Sequence, residues 1–259
     1  MLWRREIMEI TTRKLTKNYG KIEALAGLDL DIPKGSRFAF LGPNGAGKTT
    51  TVRILVGFLR PTQGSATVCG FDIHSQRNEI KKATGFLPET PGLYSKLSAV
   101  EFLEFVGALR NMDHGPLMKR IDTMLDLLGL AGRENDQMES YSAGMKQKVL
   151  VATALIHEPA LVFLDEPTSH LDPAASILVK DMIRVLSEET KTTFFICTHM
   201  TDLAEGLCDL LGILVNGRLI AFGSPQDIVD KTSSTSLEGA YMKIVGGEVP
   251  RERLLDWRT

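Results

Sequence analysis

Hydrophobic positions along the chain follow the period of a strand in some segments and the period of a helix in others. Leucines and isoleucine from 28 to 32 alternate with aspartates, which predicts a strand with one exposed face. Residues 37–41 form a mostly apolar strand, and an apolar stripe at helical spacing follows a glycine-rich loop. The members of that stripe are Val52, Leu55, Val56 and Leu59. We expect Pro61 to end this helix and residues 66–69 to form another strand.

From about residue 89 to residue 157 the pattern becomes helical. Ser98 and Glu101 have the spacing of a capping box ahead of an apolar run. A second apolar stripe ends before Gly129, which has the position of a helix-terminating glycine. A third helix is predicted from about 143 to 157. These helices interrupt the alternation of strand and helix, which fits two domains and fits equally well one α/β domain with an inserted helical lobe.

Strand and helix alternate again after residue 160. Residues 161–164 and 193–197 predict buried strands, and Asp172 with Pro173 suits the start of a helix. Asn216-Gly217 between two apolar runs predicts a hairpin. Ser224, Pro225 and Asp227 predict a further helix start, and residues 232–259 are expected to form a partly helical tail.

Composition limits the possible classes of protein. The 259 residues carry a net charge of −2, which argues against nucleic acid as the partner. The three cysteines, Cys69, Cys197 and Cys208, have no metal-binding spacing and predict neither a disulfide framework nor a zinc site. The first residues do not resemble a cleaved signal, and no apolar run approaches the ~18 residues needed to cross a bilayer. We therefore expect a cytoplasmic chain with a peripheral membrane role at most.

The loop after residues 37–41 reads GPNGAGKTT and matches the pattern GxxxxGK[ST]. Its glycines allow successive amides to face phosphate oxygens, and the following helix adds its dipole. Lys48 can reach the β and γ phosphates and Thr49 can hold Mg²⁺. The expected nucleotide-binding residues are Gly42, Pro43, Asn44, Gly45, Ala46, Gly47, Lys48, Thr49 and Thr50.

Acidic residues and a histidine follow the two later buried strands. Asp165 and Glu166 end the first of them, where open α/β sheets place their ligands. Asp165 would hold Mg²⁺ and Glu166 would orient or deprotonate a water, unless the pair is only a solvated turn. His199 follows the next strand and should emerge at the same edge, although a lone histidine is more often structural.

Ser142, Gly144 and Tyr19 each have a structural and a functional interpretation. Ser142 is suited to cap a helix, and with Gly144 it could instead bind an anion. Tyr19 either covers a sheet edge or stacks on a base.

Five segments in one order, GPNGAGKTT, YSAGM, LVFLDEPT, SHLDP and His199, resemble the nucleotide-binding subunit of ATP-binding cassette (ABC) transporters. The resemblance covers about residues 8–231 and is greatest to subunits of ABC-2 type exporters. It implies a P-loop NTPase with a RecA-like, mostly parallel sheet, an antiparallel β subdomain and the helical subdomain at about 89–157. Residues 232–259 would be a C-terminal tail.

The resemblance also implies roles for these residues. Lys48, Glu166 and His199 would serve ATP hydrolysis, and Thr49 and Asp165 would hold Mg²⁺. Across an ATP-sandwich dimer, Ser142 and Gly144 would bind the γ-phosphate of the second subunit's ATP. Tyr19 would stack on adenine, and Asp172 would lie in the loop that crosses the dimer interface.

This sequence departs from the family pattern at four positions. Glu89 stands where the family has glutamine, and its carboxylate could still meet the Mg²⁺ shell. YSAGM occupies the position of the family's signature motif LSGGQ, and in it Ala143 and Met145 replace a glycine and a glutamine. His170 replaces a glycine before Asp172, and the sequence offers no reason for it.

The partners follow from the resemblance too. ATP hydrolysis would power transport, with export expected, through a separate integral membrane permease at the inner face of the cell membrane. The second ATPase subunit would be another copy or a homologue. Docking would use the helical subdomain and the groove near residues 89–97, where Leu93 and Tyr94 are either contact surface or internal packing.

Two other classes of protein fit the sequence less well. A non-transport ABC ATPase acting on ribosomes or chromosomes is disfavoured by the single phosphate loop, the lack of heptads and the slightly acidic balance. A regulatory module that binds ATP without hydrolysing it is disfavoured by the intact set of Lys48, Asp165, Glu166 and His199.

Overall fold

The computed structural model describes residues 7–89 and 92–246. The strands in these ranges are β1 (Met8–Tyr19), β2 (Ile22–Pro33), β3 (Arg37–Leu41), β4 (Gln63–Val68), β5 (Phe71–Asp72), β6 (Thr84–Leu87), β7 (Leu161–Asp165), β8 (Thr193–Thr198), β9 (Leu210–Val215) and β10 (Arg218–Gly223). The helices are α1 (Lys48–Leu55), α2 (Arg77–Ala83), α3 (Ala99–Leu109), α4 (His114–Leu127), α5 (Ala143–Leu155), α6 (Pro173–Thr190), α7 (Thr201–Leu207), α8 (Pro225–Lys231) and α9 (Leu237–Val245).

A six-stranded sheet forms the centre of the molecule, with strand order β10-β9-β3-β8-β7-β6. All its pairings are parallel except that of β9 with β10. Leu41 pairs with Thr198, and Asp165 pairs with Cys197. The carboxyl ends of β3, β8 and β7 therefore lie side by side at one edge of the sheet.

A second, antiparallel sheet has the order β2-β1-β4-β5 and packs against one face of the central sheet. The core between them contains phenylalanines of the central sheet, such as Phe163 and Phe195, together with Ile10, Leu25 and Val52. This arrangement confirms the expected RecA-like core with an antiparallel β subdomain.

Helices cover the opposite face of the central sheet. Val162 and Ile196 pack there against Val179 of α6 and Leu203 of α7. Helices α3, α4 and α5 form the helical subdomain around a core of their own. Helix α5 supplies residues to both cores, so it joins the helical subdomain to the central sheet.

Several local predictions are confirmed. Ser98 and Glu101 form both hydrogen bonds of a capping box. The Asp172 side chain caps α6 by accepting from the amide of Ala175 at 2.9 Å. Asn216 and Gly217 both have positive φ, as the two-residue turn between β9 and β10 requires.

Other boundaries were wrong. Helix α1 ends at Leu55 rather than continuing to Leu59, because Gly57 adopts φ +79° and breaks the helical path. Strand β4 ends at Val68, since Cys69 has φ +51° and turns the chain. By contrast, the first helix of the helical subdomain begins at Ala99, directly after the predicted cap Ser98.

The segment expected as a tail contains α9. Leu237 and Ala240 of this helix are fully buried against the central core, and Lys243 donates to the carbonyls of Thr232 and Ser233. Residues 247–259 lie outside the described part of the chain. No helix within the described ranges is long and apolar enough to span a membrane.

His157 follows α5 and donates through Nε2 to the carbonyl of Thr84 at 3.1 Å. Burial, and secondarily the charge of Arg110, lowers its pKa to about 4. An unfolded histidine binds its proton near pH 6.5. Between about pH 4 and 6.5 the unfolded chain therefore binds more protons than the folded chain, and stability falls as the pH falls through this window.

We predict that His157→Gln flattens this dependence, because glutamine can donate to Thr84 without titrating. Between pH 7.5 and 5 the wild type should lose about 1 to 2 kcal/mol more of its unfolding free energy than the variant. Urea unfolding at each pH measures the difference. His114→Gln removes an exposed histidine and serves as the control; an identical pH profile for wild type and His157→Gln would contradict the prediction.

Candidate functional site

The glycine-rich loop joins β3 to α1 and passes close to neighbouring backbone. A Cβ on Gly42 would lie 2.3 Å from the carbonyl oxygen of Leu214. A Cβ on Gly47 would lie 2.4 Å from that of Ala24, and Gly47 also has φ +108°. Only glycine fits at these two positions, so the loop can turn tightly into the N-terminus of α1.

A cleft of about 210 Å³ lies beside this loop. It is lined by Ala24, by residues 43–50 and by the carboxylates of Glu89, Asp165 and Glu166. The structure thus brings the predicted phosphate loop and the predicted acidic residues together. Ala24 belongs to the second sheet, and no sequence pattern pointed to it.

Lys48 and Thr49 connect the loop to its surroundings. The Lys48 ammonium is largely buried and donates to the carbonyls of Gly42 at 2.5 Å and Pro43 at 3.2 Å. The Thr49 hydroxyl donates to Asp165 Oδ2 at 3.3 Å. Burial, and then the charge of Glu89, raises the pKa of Asp165 to about 6.

Glu166 and His199 are in direct contact. The Glu166 carboxylate accepts from the Thr198 hydroxyl at 3.0 Å and from the His199 amide at 2.9 Å, and it lies 2.7 Å from His199 Nδ1. The His199 ring is mostly exposed. Thr198 was missed by the sequence reasoning, although a polar residue at the end of an apolar strand beside His199 was a usable signal.

Four other predicted residues do not line the cleft of their own chain. Ser142 caps α5 by accepting from the amide of Met145, and Gly144 lies in the first turn of that helix. Asp172 is exposed at the start of α6. Tyr19 is 46% exposed at the end of β1, where the Lys17 ammonium lies 5.3 Å from its ring centroid. The functional roles of these four residues stay predictions.

The backbone at His170 explains why glycine suits that position, and nothing in the structure explains the histidine. His170 has φ +64°, a left-handed conformation that glycine adopts freely and other residues adopt less often. A Cβ on Gly144 would lie 3.0 Å from the His170 carbonyl oxygen. The signature turn and the turn before Asp172 therefore pack closely at Gly144.

The oxygen donors at the loop suit Mg²⁺. Thr49 and Asp165 offer a hydroxyl and a carboxylate, the ligand types that Mg²⁺ prefers. The described residues contain no cluster of three or more His, Cys, Asp or Glu side chains that could hold a metal. These two residues therefore suit a cation that takes its remaining ligands from phosphate and water.

A family model described as ABC transporter matches residues 25–169, more than half of the chain. The chain belongs to the ABC transporter family. Nod factor export ATP-binding protein I of Cupriavidus pinatubonensis is 37% identical over 229 residues, which cover 88% of this chain and 70% of that protein. Linearmycin resistance ATP-binding protein LnrL of Bacillus subtilis is 33% identical over 228 residues, covering 88% and 73%. Bacitracin transport ATP-binding protein BcrA of Bacillus licheniformis is 36% identical over 211 residues, covering 82% and 68%.

Solved structures of ABC ATPases have the same fold. An ATP-binding subunit of an ABC transporter superposes with a TM-score of 0.84 at 28% identity, covering 91% of this chain and 98% of that one. A dimeric ATP-binding cassette in a post-hydrolysis state, bound to ADP and Pi, superposes with a TM-score of 0.76 at 25% identity, covering 83% and 98%. This chain is therefore an ABC ATPase, and the cleft is its candidate nucleotide site.

We predict that Lys48→Ala weakens ATP binding about 10- to 100-fold, because it removes a charged donor worth roughly 1.5 to 3 kcal/mol. Titration with a fluorescent ATP analogue measures the change. Lys82→Ala removes an exposed lysine that pairs with Glu79 outside the cleft, and it should bind as the wild type does. Equal affinities for the two variants would contradict the assignment of Lys48.

Proposed function

We propose that this chain hydrolyses ATP to power export through a separate membrane-spanning permease. The observation that carries the proposal is the contact of Glu166 with His199 beside the phosphate loop. The Glu166 carboxylate, which can accept a proton, lies here next to the His199 imidazole, which can hold a water or a phosphate oxygen. This is the arrangement that a water attacking the terminal phosphate requires.

Binding of the triphosphate would use the loop amides and Lys48. The lysine would exchange the carbonyls of Gly42 and Pro43 for phosphate oxygens. Thr49 and Asp165 would hold Mg²⁺, with Glu89 facing its hydration shell. When bound there, Mg²⁺ supplies positive charge that offsets the charge developing during phosphoryl transfer. Tyr19 would stack on the adenine.

Glu166 would take the proton of the attacking water, and His199 would align that water or the γ-phosphate. Three donors hold the Glu166 carboxylate at the sheet edge, so little reorganisation is needed before the reaction. Phosphoryl transfer depends mainly on such positioning and on charge stabilisation.

We further propose that two ATPase subunits close over the nucleotides. Ser142 and Gly144 lie in an accessible first turn of α5 but not in their own cleft, so they are available to a nucleotide of a second subunit. A helix N-terminus with free amides suits an anion. Asp172 is exposed two residues after His170, whose carbonyl oxygen faces Gly144. The similarity to a dimeric cassette bound to ADP and Pi supports this proposal.

The direction of transport is proposed from the relatives. Their names include a Nod factor export protein, a linearmycin resistance protein and a bacitracin transport protein. A permease partner would place the chain at the inner face of the cell membrane.

An exposed apolar surface offers a site for the permease. Tyr94 is 59% exposed, and its ring lies 5.7 Å from that of Phe105 on α3. Leu109, one turn along α3, lines a groove together with Phe58. Leu93 instead packs inside, against two of the core clusters. Exposed patches of this kind mark interaction sites, so we propose docking at Tyr94, Phe105, Leu109 and Phe58.

We predict that Glu166→Gln lowers steady-state ATP turnover about 10²- to 10⁴-fold, the usual cost of losing a positioned general base. ATP binding should persist, and ATP should hold the variant as a dimer. Phosphate release and size-exclusion chromatography measure the two effects. Glu205→Gln changes an exposed glutamate on α7 and serves as the control. Unchanged turnover in Glu166→Gln would refute the role given to Glu166.

We predict that Tyr94→Asp abolishes co-purification with the membrane partner, because it places a charge on the apolar docking surface. ATP turnover by the isolated chain should stay within about twofold, since surface changes rarely disturb folding. Leu127→Asp places the same charge on an exposed apolar residue of α4, outside the proposed docking surface, and should leave co-purification intact. Normal recovery of the partner with Tyr94→Asp would rule out this docking surface.

A further inference from the structure

A buried glutamine on α5 joins this helix to the backbone of Glu166. Gln147 lies on α5, five residues after Ser142, and its side chain is almost completely enclosed. Its Nε2 donates to the carbonyl of Pro167 at 3.1 Å and, over a longer 3.4 Å, to that of Glu166.

The backbone that Gln147 holds is strained. Glu166 has φ +51°, and the next residue is a proline. A non-glycine residue persists in this region only where surrounding contacts fix it. Within the turn itself, Ser169 donates to the Glu166 carbonyl through its amide at 3.1 Å and its hydroxyl at 2.8 Å. Among the described residues, Gln147 is the only side chain from outside this turn that hydrogen-bonds the Glu166 and Pro167 carbonyls.

We propose that Gln147 is a positioning residue that fixes the backbone of Glu166 and thereby aims its carboxylate at Thr198 and His199. The inference rests on the role proposed above for Glu166. The same contact would couple the first turn of α5 to Glu166. Because the first turn of α5 carries Ser142 and Gly144, a movement of this turn toward a partner's nucleotide would act through Gln147 on the alignment of the chain's own Glu166.

The two carbonyls need a donor, so the sharpest change is one that keeps the shape of the side chain and removes its N–H groups. Gln147→Met does this. Ser187→Ala is the matched control, because the buried Ser187 hydroxyl donates to the carbonyl of Gly35 at 2.8 Å, away from the cleft. Both variants lose a hydrogen bond to a backbone carbonyl, and thermal unfolding would establish that both fold.

Steady-state kinetics of the full chain should separate positioning from packing. We expect Gln147→Met to lower kcat about 10- to 100-fold, as small misplacements of a reacting group do, with KM for ATP changed by less than about twofold. Ser187→Ala should leave both constants near their wild-type values. A lower kcat in the control equal to that of Gln147→Met, or a raised KM with unchanged kcat, would overturn the proposal.

Single-turnover hydrolysis of radiolabelled ATP in the Glu166→Gln background completes the test. If Gln147 acts through Glu166, adding Gln147→Met to Glu166→Gln should reduce the residual rate by less than about twofold, because the two changes are not additive. The same fold-loss in both backgrounds would overturn the role of Gln147 and leave the proposed function intact. A fully active Glu166→Gln would overturn the proposed function and this inference with it.

Discussion

Parallel pairing of three central strands is the constraint on which the site depends. Strand β8 lies between β3 and β7, and the pairing of Leu41 with Thr198 and of Asp165 with Cys197 ends all three strands at the same level. Three segments far apart in the sequence, the phosphate loop, Asp165-Glu166 and Thr198-His199, therefore meet at one edge. A shift of register in either pairing would separate them by a full residue spacing, about 3.3 Å.

Much of this arrangement could be predicted from the sequence, because the informative residues are local signals. The GxxxxGK[ST] spacing, the capping boxes and the Asn-Gly turn each involve neighbours in the chain, and each has one preferred backbone conformation. The predicted extent of α1 was wrong because the hydrophobic stripe continues past Gly57, whereas the helical backbone does not. Strand β6 and helices α2 and α7 are short, so each contains too few residues for its hydrophobic periodicity to be recognised in the sequence.

Contacts between distant segments were the part that the sequence could not supply. Ala24 reaches the cleft from the second sheet, and Gln147 reaches Glu166 from the helical subdomain. Neither residue type is unusual at its position, so no pattern distinguishes it from its neighbours. The left-handed backbone at His170, which glycine adopts more freely, is likewise a property of the folded turn that the sequence did not indicate.

The contacts of the Lys48 ammonium within the loop bear on the energetics of nucleotide binding. A buried cation without partners would be costly, and here two carbonyls of the loop solvate it internally. The carbonyl dipoles of Gly42 and Pro43 thus face the ammonium directly. If Lys48 binds the nucleotide as proposed, it would exchange these peptide oxygens for phosphate oxygens, and the net enthalpy would reflect the difference between the two kinds of acceptor rather than the full strength of a new ion pair.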